Sequence, residues 1–172
     1  MRATRGCDTR PMERELISGH SPYETVFGFS RAVRAGNRVV VSGTAPVPAD
    51  GSAPPPGAYH QAKLCLDLIA EALTKAGAHL EDVVRTRMFL TGADHWLEVA
   101  RAHGEMFGTI RPAASAVIVA GLLDPAWLVE IEAEAVLPAS APPDCDGSFR
   151  NPGSPNTLAT ELSPDSHASG PA

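Results

Sequence analysis

The chain has 172 residues, with 14 Lys and Arg against 20 Asp and Glu, a formal net charge of -6 and a pI near 5.4. That length suits one domain with a real hydrophobic core, needing neither disulfide nor metal to hold it. The acidic balance lacks the basic face with which a general nucleic-acid binder neutralises phosphates.

Three cysteines, Cys7, Cys65 and Cys145, are an odd number without C-x-x-C spacing, which argues against a disulfide framework or structural zinc. The N-terminal charges precede no apolar h-region, and no run is long enough to cross a bilayer. The expectation is a soluble cytoplasmic protein with neither nucleic acid nor membrane as a partner.

Residues 1–11 look loose, and from Pro138 to Ala172 the composition turns to Pro, Ser, Ala, Gly and Asp. Such segments bury too little to offset their ordering entropy, so both ends are expected to be disordered and folding information to lie in residues 12–137. Within that span, Phe29 to Arg34 and Arg38 to Ser42 read as strands of a hairpin turning at Ala35-Gly36-Asn37. The proline-rich stretch Pro46 to Gly57 reads as a surface loop.

From Tyr59 to Ala76 a helix is expected, with Gln61, Leu64, Cys65, Leu68, Ile69, Ala72, Leu73 and Ala76 on its buried stripe and Gly77 as its stop. Val83 to Leu90 reads as a strand with Val84, Thr86, Met88 and Leu90 on one face and Val83, Arg85, Arg87 and Phe89 on the other. Thr91 and Asp94 offer caps for a second helix, about His95 to Phe107, with a stripe of Trp96, Val99, Ala100, His103 and Phe107.

Between Pro112 and Val136 two strand-like runs meet across a Pro-containing turn. In the second, Val129, Ile131, Ala133 and Ala135 alternate with Glu130, Glu132 and Glu134. Carboxylates on one strand face stand about 7 Å apart, which disfavours joint ionisation wherever water is excluded. That face is either wet, as in an ordinary antiparallel strand, or serves a site. Helices that each bury one stripe belong on one face of a mixed sheet, so the fold class is α+β. The other face mixes apolar and charged side chains and suits cover by a second subunit.

SGTAPV at Ser42 to Val47, HQAKLCLDLIAEAL with Gln61, AGAHLEDVVRTRMFL, the Arg111-Pro112-Ala113 run and LVEIEAEAV together resemble the RidA/YjgF family of reactive-intermediate deaminases. The resemblance covers nearly all of residues 12–137 and implies a chorismate-mutase-like (YjgF-like) fold with two helices on one sheet face. It also implies a homotrimer with a central barrel and clefts between subunits. Characterised members hydrolyse enamines and imines such as 2-aminoacrylate to a 2-keto acid and ammonia without a cofactor; older members carried endoribonuclease or translation-inhibitor labels.

The deaminase motif reads Pro-Ala-Arg, its arginine gripping the substrate carboxylate in a bidentate, charge-assisted contact. Here that position is Ala114, which puts the standard activity on 2-imino acids in doubt. Arg111, at an odd offset on an extended strand, points the wrong way to substitute. Arg31 is the better candidate, beside Phe29 where deaminases often have a site tyrosine, although a strand arginine also serves in surface salt bridges. Arg85 and Arg87 suit pairing with carboxylates across the sheet.

Ser42 and Gly43 match the family's cleft Ser-Gly, Phe107 a ring lining the cleft, and Glu130 the acid that positions water or protonates the substrate carbon. Ala114 and Ala116 fall on the substrate-binding strand. Glu130 is equally readable as a trimer-core residue and Ser42 as a strand residue satisfying backbone groups. His60 and His103 read as structural, Cys65 as a small core residue, and no metal site is expected. Two functions follow: acid-assisted hydrolysis of a small reactive imine, enamine or related carbonyl compound, or a non-catalytic small-molecule-binding or regulatory trimer.

Overall fold

The computed structural model describes residues 13–138. The expected loose termini, apart from Pro138, lie outside the described residues. The chain runs β1 (Arg14–Ile17), α1 (Tyr23–Phe27), β2 (Ala32–Ala35), β3 (Arg38–Thr44), α2 (Ala58–Lys75), β4 (Val83–Leu90), α3 (Trp96–Phe107), β5 (Ala113–Ile118) and β6 (Val129–Val136), with short 3-10 turns before β4 and α3. The β2-β3 hairpin, both long helices and the three later strands were legible in the sequence; β1 and α1 were not.

One sheet of six strands has the order β1-β2-β3-β6-β4-β5. Every pair is antiparallel except β4-β5, which α3 connects as a βαβ unit. The expected mixed α+β sheet is present. The two runs expected to meet across a turn, however, are not neighbours, because β6 inserts between β3 and β4 while β5 takes the edge. Composition explains the difference. Val129, Ile131, Ala133 and Ala135 are all buried and need strands on both sides, whereas every residue of β5 is exposed.

The core lies between the helices and the sheet face carrying Val39, Val41, Met88, Leu90, Ile131 and Ala133. Each fully buried large side chain there contributes about 1.5–3 kcal/mol. The stripe expected on α2 is rotated: Ala62 and Leu66 are buried, while Leu64 and Leu68 are only half-buried. The cause is that α2 packs against α3 as well as the sheet. On α3 the buried residues are Val99, Ala102 and Phe107, and Trp96 and Ala100 are exposed. The expected side-chain caps are absent as well; His95 occupies the N-cap position and makes no side-chain cap bond.

The alternation expected in β4 fails at its start. A register shift against β6 between Val83 and Arg85 turns Val83 into the core and leaves Val84 exposed. The strand expected from Phe29 begins only at Ala32, so Phe29 and Arg31 lie on the connection leading into β2. Arg111, expected on a strand, precedes β5 with a left-handed φ of 55°.

The end of α2 follows the sequence closely. The Gly77 N–H donates to Thr74 O and the Ala78 N–H to Leu73 O, with Gly77 at φ 72°. This paired arrangement satisfies the last carbonyls. Arg34 Nη1 adds a bond to Ala76 O at 2.9 Å.

Gln61 ties the loops to this framework. Its buried amide donates to Pro55 O at 3.1 Å and Ala126 O at 3.0 Å and accepts from the Leu128 N–H at 2.7 Å. No helix among the described residues is long and apolar enough to cross a membrane. Replacing Gln61 by Leu keeps the volume but strands three backbone groups, so Gln61→Leu is expected to cost about 2–4 kcal/mol in urea unfolding. An unchanged midpoint would show that water replaces the amide.

Candidate functional site

The site is built where β3 departs from regular pairing. Val41 stands opposite Ala133 and Thr44 opposite Ile131, so β3 uses one more residue than β6 over the same span. Such a bulge bends the strand and re-aims its side chains. Ser42 and Gly43 occupy it. The Ser42 hydroxyl donates to Ser30 O at 2.8 Å and its N–H to Arg31 O at 3.0 Å, fixing the bulge to the approach to β2. Thr44 is buried and donates to Ser42 O at 2.9 Å.

Glu130 comes from the start of β6 and lies over Gly43. A Cβ built on Gly43 would collide with Glu130 Oε1, so the bare glycine leaves room for this close approach, and a methyl group would have to push the carboxylate aside. Burial raises the Glu130 pKa, Glu132 raises it further, and Arg31 opposes both. The result is a carboxyl group that holds its proton above the ordinary carboxylate range.

Arg31 is anchored to the same bulge, its Nη1 donating to Gly43 O at 2.8 Å and Thr44 Oγ1 at 2.9 Å. Among the described residues, Nε and Nη2 make no hydrogen bond. A guanidinium held by one terminal nitrogen presents its other edge for a planar anion. Burial lowers the Arg31 pKa while Glu24 and Glu130 raise it, and its ordinary value is high enough to keep it cationic. The Phe29 ring lies 5.5 Å from Arg31 Cζ.

These groups open into a cavity of about 350 Å³, a size suited to a compact organic ligand. Arg31, Ser42, Gly43 and Glu130 form its polar end. The connection around α1 supplies Tyr23, Phe27 and Phe29, α2 supplies Leu68, and the loop before β6 supplies Leu123 and Trp127. At the rim, Glu71 Oε1 is 2.7 Å from Lys75 Nζ and 3.5 Å from His20 Nε2. Tyr23 and Phe27 were not legible in the sequence because α1 buries no stripe, and Trp127 because it lies in the loop before β6. The signal available was the apolar pair Val26-Phe27 ending at Gly28.

Of the residues singled out in sequence, Phe29, Arg31, Ser42, Gly43 and Glu130 all line this cavity. Phe107 does not, being 1% exposed in the core with its ring centroid 4.9 Å from that of His103. Its place on the buried stripe of α3 overrides the expected cleft position. Ala114 and Ala116 are exposed on edge strand β5, outside the cavity. Among the described residues no group of three or more His, Cys, Asp or Glu is placed to hold a metal. His103 Nε2 lies 2.9 Å from the buried Thr86 Oγ1, and burial pushes the Cys65 thiol pKa up, away from reactivity.

A family model described as Endoribonuclease L-PSP matches residues 19–137. The chain belongs to this family, the YjgF/RidA family. An uncharacterised protein of Streptomyces coelicolor is 40% identical over 125 residues, covering 71% of this chain and 90% of its own. A RutC family protein of Pyrococcus abyssi is 30% identical, over 72% and 98% respectively. Among solved structures, Rv2704 of Mycobacterium tuberculosis, titled a member of the YjgF/YER057c/UK114 family, superposes with a TM-score of 0.67. It is 42% identical, over 73% of this chain and all of its own. Membership supports a small-molecule role, either imine-deaminase-like or binding.

Gly43→Ala is expected to displace the Glu130 carboxylate and cost about 1–3 kcal/mol. In a Glu130→Ala background most of that penalty should vanish, because the colliding atoms are gone. Thermal or urea unfolding of the four proteins gives the coupling; additive effects would mean that the bulge itself, not the carboxylate, rejects the methyl group.

Proposed function

We propose that the protein hydrolyses a reactive imine or enamine, using Glu130 as the acid and Arg31 as the group that holds a substrate carboxylate. The observation carrying this reading is the convergence of both side chains on Gly43, one a half-buried carboxyl group and the other an anchored guanidinium. A substrate carboxylate on the open edge of Arg31 leaves its adjacent carbon near Glu130. An enamine takes the Glu130 proton on carbon and becomes an iminium. Water then adds to the iminium carbon and returns a proton to the carboxylate. The resulting carbinolamine breaks its C–N bond as the hydroxyl proton passes to nitrogen, releasing ammonia and a keto acid. An imine enters the same sequence by protonation on nitrogen.

Ala114 removes the arginine of the deaminase motif, so this reading moves the anion contact to Arg31 within the chain. It includes a cytoplasmic homotrimer around a central barrel, in which β5 of a neighbouring copy closes the cavity and brings Ala114 and Ala116 to it. Support comes from the exposure of β5, whose Val117 and Ile118 are 47% and 52% exposed. Light scattering should give three times the 18.0 kDa chain mass; a monomer would remove this part of the reading. The missing motif arginine also favours a second reading, a non-catalytic metabolite-binding trimer, which predicts ligand-induced thermal stabilisation without turnover.

Hydrolysis of enzymatically generated 2-aminoacrylate and of the imines of larger keto acids tests the catalytic reading. Glu130→Gln is expected to lower kcat by about 100- to 10,000-fold, and Arg31→Met to lower kcat/KM by about a hundredfold. The pH dependence has a defined sign. Activity needs protonated Glu130, so the rate falls as pH rises through its raised pKa. Removing the Arg31 cation raises that pKa further, so the residual activity of Arg31→Met should decline at higher pH than that of the wild type. A shift to lower pH, or an active Glu130→Gln, would sink the assignment.

A further inference from the structure

The helix α1 is an unusual element for its size. It has five residues, and none is buried. A helix this short is not stable by itself. It is held by a few polar ties: Glu24 accepts the Gly19 N–H at 2.9 Å, and the Gly28 and Phe29 N–H groups return to Glu24 O at 2.9 and 3.1 Å. These bonds fix the backbone and leave the large side chains with little to pack on. Val26 is 81% exposed and Phe27 65%.

Tyr23 and Phe27 nevertheless face the cavity, where Tyr23 meets Trp127 edge-on at 6.1 Å and Phe27 meets Phe29 edge-on at 6.5 Å. Leu123, 68% exposed, comes from the opposite wall. Within one copy, a three- or four-carbon imino acid held at Arg31 would leave these surfaces uncovered. The cavity volume and its aromatic wall both call for a larger apolar group.

We infer that the substrate is a keto-acid imine or enamine bearing an aryl or branched-alkyl side chain, received by Tyr23, Phe27, Phe29, Leu68, Leu123 and Trp127 while its polar end stands between Arg31 and Glu130. This substrate class rests on the hydrolytic reading above. The apolar group completes the packing of α1, so α1 sets side-chain preference while Arg31 and Glu130 are common to all substrates. Apolar area removed from water on binding supplies the discrimination.

An amino-acid oxidase that produces the imines of pyruvate, of the leucine-derived keto acid and of phenylpyruvate in turn provides the test, with loss of trappable imine as the readout. The kcat/KM for the phenylpyruvate and leucine-derived imines should exceed that for the pyruvate imine by about tenfold or more. Phe27 is largely exposed, so Phe27→Ala folds normally. It should lower the value for the larger imines about tenfold more than for the pyruvate imine. Equal or reversed preference in the wild type, or an equal loss on every imine in Phe27→Ala, would overturn the substrate class while leaving the hydrolytic reading standing. If no imine is hydrolysed, that reading fails and calorimetry with the keto acids decides the class alone. Tighter binding of phenylpyruvate than pyruvate, weakened in Phe27→Ala, upholds it, and binding without preference overturns it.

Discussion

The contact on which the site depends is that of the Glu130 carboxylate with the bare Cα of Gly43. It exists because β3 carries an extra residue where β6 does not, and because that bulge holds a glycine, with no Cβ to push the carboxylate away. The same bulge turns the Gly43 carbonyl and the Thr44 hydroxyl towards Arg31. A single irregularity in pairing therefore positions both charged groups. Ser42 locks it from the other side through Ser30 and Arg31 backbone bonds.

The distribution of charge around this contact is selective. Of the three alternating glutamates of β6, Glu132 lies 2.9 Å from Arg87 Nε, and Glu134 is shared between Arg38 at 3.2 Å and Arg87 at 3.4 Å. The Arg87 Nε contact is an ion pair whose angle falls short of a hydrogen bond. Glu24 is taken up by the Gly19 N–H and Glu71 by Lys75. Of the three β6 glutamates only Glu130 lacks a cation within ion-pair distance among the described residues, and it is this carboxyl that burial pushes towards its neutral form. Neighbouring carboxylates of one strand are thus given different surroundings, two beside arginines and one in the half-buried bulge.

Much of this was legible because it depends on periodicity. The period-2 pattern of β6 and the 3.6-residue pattern of α2 report burial directly, and the Ser42-Gly43 and Glu130 positions stand inside recognisable motifs. What was not legible depends on pairing between distant segments. The alternation of β6 said that one face was buried, but not that β3 and β4 would flank it and send β5 to the edge. The bulges at Ser42-Gly43 and Val83-Val84 leave no mark in composition, although each reverses the facing of side chains. The first element of the cavity wall, α1, buries nothing, so no hydrophobic stripe announced it. Phe107 misled for the opposite reason, since its stripe position and its family position disagreed and packing prevailed.

The sheet order gives the alanine at position 114 its proper weight. β5 is separated from β3 by both β6 and β4, and at the usual spacing between strands that places it roughly 14 Å away across the sheet. Within one chain, position 114 on edge strand β5 and the Ser42-Gly43 bulge on interior strand β3 therefore stand well apart in the sheet. Removing an arginine there leaves the geometry of Arg31, Gly43 and Glu130 untouched, because none of their bonds involves β5. The two features, an absent cation on the edge strand and a present one at the bulge, are thus separable in structure and complementary in charge. Within one chain, Glu130 feels only the second of them, whose charge opposes the effect of burial on its carboxyl group.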